Sequence, residues 1–171
     1  MDDSRALQLD DLDDLRIRAI RPLVPSACLI DESPADASVY DTVTAARKSL
    51  SQAVRGKDGR LAVVCGPVSA HDYAAVMEYA RKLKEVADRL SNELIIVMRV
   101  FLDEPSGGAG YWSGAMYDPE LDGTFQINKG FKQARQLLLE INGLGLPCGC
   151  LYLDTISPQA SAPLLEHAES C

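Results

Sequence analysis

Few residues of this 171-residue chain are placed to do chemistry, and the first candidates sit together in Gly66-Pro-Val-Ser-Ala-His-Asp72. Ser69 and His71 have the composition of a nucleophile and its base, but the sequence offers them no third, orienting group. Asp72 is expected instead as the N-cap of a following helix. Five cysteines stand at positions 28, 65, 148, 150 and 171. Cys148-Gly-Cys150 places one residue between its sulfurs, whereas zinc-binding pairs usually have about two to four. His71 and His167 are the only histidines, so metal ligands are scarce and buried structural thiols are the expected role. An odd cysteine count with no apolar leader reads as free thiols. Ser106-Gly-Gly-Ala-Gly110 lacks the Lys-Ser/Thr that completes a phosphate-cradling loop, so a flexible loop is expected, with Trp112 as a packing anchor.

The bulk properties narrow the classes. There are 17 basic and 25 acidic residues, a net charge of −8, and 47% of the chain is apolar. That apolar fraction is ordinary for a folded domain and argues against disorder. The acidic balance argues against nucleic acid as a partner, since phosphate neutralisation needs clustered Lys and Arg. A membrane span needs roughly 18 apolar residues, and Leu94–Leu102 is interrupted by Arg99. A soluble, cytoplasmic protein is expected.

The pattern along the chain sets the elements that must hold these residues. Residues 1–40 read as an acidic arm and loop of regulatory or interface type, with Arg21-Pro-Leu-Val-Pro25 as a breaker and Asp31–Asp41 as a turn-rich loop. Residues 41–171 read as alternating helices and strands. From Asp41, Val43, Ala46, Leu50 and Ala53 or Val54 recur at helical spacing. Leu61-Ala-Val-Val-Cys65 is a continuous apolar run, as expected for a strand covered on both faces. A helix with Val76, Tyr79, Leu83, Val86 and Leu90 inward comes next, and then a strand over Glu93–Phe101. After a long loop, a helix over about Asn128–Ile141 buries Phe131, Ala134, Leu137, Leu138 and Ile141, and Cys150–Asp154 reads as a third strand. This alternation implies an α/β fold with about three parallel strands and flanking helices. The arrangement resembles part of a (β/α)8 barrel, and since a closed one needs about 250 residues, this chain is too short to close one.

Six ordered segments carry a resemblance: DDLRIRAIRPLVP, RLAVVCGPVSAHD, ELIIVMRVFLDEP, DPELDGTFQINKG, ARQLLLEINGLGLP and LYLDTISPQ. From about Asp13 to Gln159 the chain resembles class I 3-deoxy-D-arabino-heptulosonate 7-phosphate (DAHP) synthases, the feedback-regulated bacterial and fungal type. It matches the N-terminal half of a family member. The resemblance implies a barrel that condenses phosphoenolpyruvate with erythrose 4-phosphate, the first step towards the aromatic amino acids. It further implies a divalent metal such as Mn²⁺ polarising the aldehyde carbonyl, and Lys and Arg side chains holding phosphates and a carboxylate.

Set against the family's motifs, the site positions of this chain are altered. The family's metal-binding cysteine lies in Gly-Pro-Cys-Ser; here the segment is Gly66-Pro67-Val68-Ser69, and Val68 has no lone pair to offer. Cys65, on the strand, is expected not to replace it. Arg99 matches the family arginine that contacts phosphoenolpyruvate. The Lys-Pro-Arg-Thr motif becomes Glu104-Pro105-Ser106-Gly107, exchanging cations for an anion where anionic substrates belong. A Gly-Glu-Phe-Leu-Asp pattern becomes Cys150-Leu151-Tyr152-Leu153-Asp154, with Leu151 in place of the acid. No catalytic residue is expected intact, and no cofactor or bound metal is expected.

The family's effector site joins the N-terminal arm to the segment after the third strand. Asp13, Asp14 and Ile17 match the first piece, and Ser157, Pro158 and Gln159 the second, so an aromatic amino acid effector is one implied role and inherited dimer contacts are another. Exposed strand faces and a raw sheet edge favour association, either as a homo-oligomer or with a full-length DAHP synthase. The expected function is a synthase-like protein that is inactive alone and acts as a binding or regulatory partner. A split or residual synthase and an enzyme repurposed within a biosynthetic cluster are the alternatives.

Overall fold

The structure, a computed structural model, describes residues 20–103, 112–153, 155–161, 164 and 167–170. Its elements run α1 (Ser26–Glu32), α2 (Ala37–Val54), β1 (Leu61–Cys65), α3 (Tyr73–Arg89), β2 (Leu94–Arg99), α4 (Ile127–Gly143), β3 (Cys148–Tyr152), α5 (Pro158–Ser161) and β4 (His167–Ser170). The four strands form one parallel sheet in the order β1-β2-β3-β4. Strand order follows chain order without reversal. Each crossover therefore adds its strand on the same side of the last, which is how a (β/α)8 wall is built and a doubly wound sheet is not. Register is set by Leu61 opposite Leu94, Met98 opposite Cys148 and Gly149 opposite His167.

Two local corrections concern the chain before β1. Asp31 and Glu32 close α1 rather than opening a loop, and α2 begins at Ala37 instead of Asp41, so it runs through residues 40 and 41. The reason is a cap. The Asp36 carboxylate accepts the Val39 N–H at 2.9 Å and the Ser38 hydroxyl at 2.7 Å, satisfying groups that a helix start leaves open. Those bonds, which favour the charged form, hold the Asp36 carboxyl below its ordinary range. Asp72 caps α3 as expected, accepting the Ala75 N–H at 3.0 Å.

The core lies between the sheet and α2–α4. Phe131, Ala134, Leu137, Leu138 and Ile141 are all buried, as their spacing predicts. They meet Ile96 and Met98 of β2, Cys148, Cys150 and Tyr152 of β3, and Val76, Met77 and Ala80 of α3. In α2 the buried stripe is Val39, Val43 and Ala46, while Val54 is exposed. Tyr79, expected inward, is partly exposed.

The third strand begins at Cys148, two residues before its expected start, and a fourth follows at His167–Ser170. Burial of β1 departs most from expectation. Leu61 is 66% exposed and Val64 53%, although the run Leu61–Cys65 reads as covered on both sides. Among the described residues β1 forms one margin of the sheet and pairs only with β2, so continuous apolarity here marks a face prepared for cover, not one these residues supply.

Among the described residues, no helix is long and apolar enough to cross a membrane.

Candidate functional site

The residues that could do chemistry gather where β1 and β2 end. β1 runs out through Gly66-Pro67-Val68-Ser69, and β2 ends on Arg99. The two exits touch. A Cβ at Gly66 would overlap the Arg99 carbonyl oxygen, so only glycine lets the turn lie this close to β2. Arg99 then closes the contact from its side chain. Its Nη2 donates to the Gly66 carbonyl at 3.0 Å and to the Pro67 carbonyl at 3.2 Å, and its Nε donates to the Pro67 carbonyl at 3.3 Å. The guanidinium carbon stands 5.0 Å from the Phe101 ring centre, in cation–π range.

Val68 follows in the same turn and is 76% exposed. An isopropyl group there offers neither charge nor lone pair. The remaining sulfurs do not make up for it. Cys65, half-buried on β1, is three residues away in sequence. Cys148 and Cys150 are buried in β3, and burial pushes the Cys150 thiol up to about 12, which disfavours a ligating thiolate. Cys28, expected to be buried, is exposed on α1 because the helix turns Leu29 inward instead. Cys28, Cys65, Cys148 and Cys150 are all free thiols. Among the described residues no three His, Cys, Asp or Glu side chains are grouped to hold a metal ion. The donor set described here does not fit a divalent-metal site.

Other expected residues are placed as follows. Leu151, expected where the family carries an acid, is buried in β3. Glu104, Ser106, Gly107 and Asp154 lie outside the described residues, as does the glycine-rich stretch to Gly110. Ser157 is buried below α5, Pro158 is half-buried and Gln159 is exposed. The Tyr152 and Ser161 hydroxyls lie 2.5 Å apart, and Ser161 donates to the Ser157 carbonyl at 3.2 Å, fixing this segment on β3. Asp13, Asp14 and Ile17, the other piece of the expected effector site, lie outside the described residues. Ser69 and His71 show no mutual hydrogen bond among those described; the His71 ring instead meets Trp112 edge-on, with centroids 6.1 Å apart. Trp112 Nε1 donates to the Asp118 carbonyl at 2.7 Å, the anchoring expected of it.

The structure also assigns a task to a residue without one. Asn128 accepts the Val24 N–H at 2.9 Å and donates to the Pro22 carbonyl at 3.0 Å, pinning the segment before α1 onto the start of α4. A polar side chain at a helix start is the available signal, but sequence does not name a partner about a hundred positions away.

Parallel strands in chain order, each followed by a helix or loop at its carboxyl end, define a piece of a (β/α)8 wall with its candidate residues at the strand ends. A model of the DAHP synthetase I family matches residues 36–168, and the chain belongs to that family. It is 45% identical over 153 residues to the Phe-sensitive phospho-2-dehydro-3-deoxyheptonate aldolase of Escherichia coli K12, covering 90% of this chain and 43% of that protein. It is 45% identical over 148 residues to the phospho-2-dehydro-3-deoxyheptonate aldolase of Amycolatopsis methanolica, covering 86% of this chain and 72% of that one. The solved phospho-2-dehydro-3-deoxyheptonate aldolase of Francisella tularensis superposes with a TM-score of 0.84 at 40% identity, over 87% of this chain and 43% of its own. The chain thus spans less than half the length of the E. coli and Francisella proteins.

Proposed function

We propose that this chain serves aromatic amino acid biosynthesis as a DAHP synthase-family wall that does not itself condense phosphoenolpyruvate with erythrose 4-phosphate, and that it acts by associating with a full-length synthase. The observation that carries this reading is Val68, three-quarters exposed at the turn where the resembling enzymes place a metal-binding cysteine. Arg99 supports it. Its guanidinium is spent on the Gly66 and Pro67 carbonyls, so it stabilises the turn, and one guanidinium is a weak clamp for two phosphorylated substrates. Glu104, in place of a lysine, adds repulsion. The exposed β1 margin supplies the surface through which association is expected.

A second reading, a synthase completed by a separate second half-barrel, is favoured by that same exposed margin. One experiment separates the two. Phosphoenolpyruvate consumption is followed with erythrose 4-phosphate and Mn²⁺ for the chain alone, with a full-length family enzyme, and with only the C-terminal half of one. The proposal expects no turnover alone and a changed rate or feedback response of the full-length enzyme. Turnover alone, or turnover restored by the half-enzyme, overturns it.

A further inference from the structure

Arg135 is a charge in an apolar place. It stands on α4 with Phe131 one turn before it and Leu138 one turn after it, and it is only 3% exposed. Its Nε donates to the Ser33 carbonyl at 2.9 Å, which ties the turn between α1 and α2 to α4. A guanidinium keeps its charge at any ordinary pH, and burying one is costly unless acceptors surround it.

Arg135 lines a cavity of about 690 Å³ between α1, α2 and α4. Its volume is within the usual range for small-molecule sites. Val39, Val43 and Arg47 succeed one another at four-residue steps on the α2 face that lines it, so apolar walls lead along the helix to a second guanidinium. Ile30 and Leu164 add further apolar wall. Among the described lining residues there is no Asp or Glu. The acids beside it face other groups: Asp36 caps α2, and Glu32 pairs with Lys132 at 2.7 Å. Neither Val68 nor Arg99 lines the cavity, and nor do Ser157, Pro158 and Gln159, so it is separate from the candidate turn and from the described part of the expected effector site.

We infer that this cavity binds a small molecule with an apolar body and a single carboxylate, the body against Val39, Val43 and Ile30 and the carboxylate on Arg47, in the positive field of Arg135. Apolar walls select the body, and guanidiniums without a lining carboxylate select the charge. The five N–H donors of a guanidinium let it serve a protein group and a ligand carboxylate together. A zwitterionic amino acid is disfavoured, because its ammonium would meet two cations and no lining acid among the described residues.

The test uses the 171-residue chain and three probes of one chain length, decanoate, decan-1-ol and decylamine, titrated separately by calorimetry below their micelle-forming concentrations. Decanoate should saturate at one molecule per chain. The alcohol and the amine should bind at least about tenfold more weakly, the equivalent of about 1.4 kcal/mol. Arg47→Glu, at an exposed side chain, should weaken decanoate about tenfold or more and leave decylamine no weaker. Thr44→Trp, exposed and also lining the cavity, should fill it and abolish decanoate binding with an unchanged circular dichroism spectrum. Arg47→Glu keeps the test decisive if tryptophan disturbs α2. No saturable decanoate binding, equal affinity for the three probes, or undiminished decanoate binding by Arg47→Glu overturns the inference, as does full binding by a folded Thr44→Trp.

Discussion

β1 and the β2–β3 pair are parallel strands of one sheet with equally apolar sequences, yet they meet different surroundings. β3 is buried along its whole length and β2 at all but its end residues, whereas β1 leaves Leu61 and Val64 largely open. Composition does not distinguish them; position in the sheet does. β2 has a strand on each side and helices over one face, and β1 has, among the described residues, a neighbour on one side only. An apolar run thus records what a strand is suited to touch, and its cover must come from elsewhere. The candidate site falls at this boundary, with Val68 following the open strand and Arg99 ending the closed one.

Mutations sharpen the contrast when ranked by expected cost. Leu138→Ala on α4 removes a fully buried side chain and should cost about 2–5 kcal/mol in urea unfolding, whereas Val64→Ala on β1 should cost less than about 1 kcal/mol. Similar losses at the two sites would mean that β1 is covered in solution. Gly130→Ala comes next. Alanine normally favours a helix, but a Cβ here would overlap the Met116 carbonyl, so about 1–3 kcal/mol of destabilisation is expected in the same assay. Gly130 marks where α4 is pressed against the preceding loop.

Asp72→Ala, removing the α3 cap, should cost about 1 kcal/mol. Gly143→Ala should act in the other direction and stabilise by about 0.4–1 kcal/mol, since its Cβ would meet nothing within 4 Å. Asp36 supplies a pH dependence. Its folded carboxyl is held below the ordinary value of 3.8, chiefly by the Val39 N–H and then by the Ser38 hydroxyl. Its contribution is therefore present above that value and is lost as pH falls through the lowered one. The stability gap between the native chain and Asp36→Ala should narrow in acid; a gap constant from pH 7 into strong acid would refute the cap.

Much of this architecture was legible from residue types. The α4 stripe from Phe131 to Ile141 and the Asp72 cap stand where periodicity and cap chemistry put them, because helical spacing and local hydrogen bonds are short-range properties. The start of α2 was missed because Asp36 lies inside a Pro- and Ser-rich stretch whose composition reads as loop, while one carboxylate decides the outcome. The openness of β1 could not be read at all, since exposure depends on neighbours that a strand's own sequence does not encode. For the site, Val68 in the Gly66-Pro67-Val68-Ser69 segment, where the resemblance implies a cysteine, is read from the motif alone. Arg99's engagement with two carbonyls is not, because a guanidinium's partners are set by how closely Gly66 lets the turn approach.

Calorimetric titration of Mn²⁺ into the purified 171-residue chain, with the same samples assayed for condensation product, tests the central claim most directly. The absence of a sulfur ligand at Val68 predicts no stoichiometric binding and no product. One tightly bound Mn²⁺ per chain, with product formed, would contradict it.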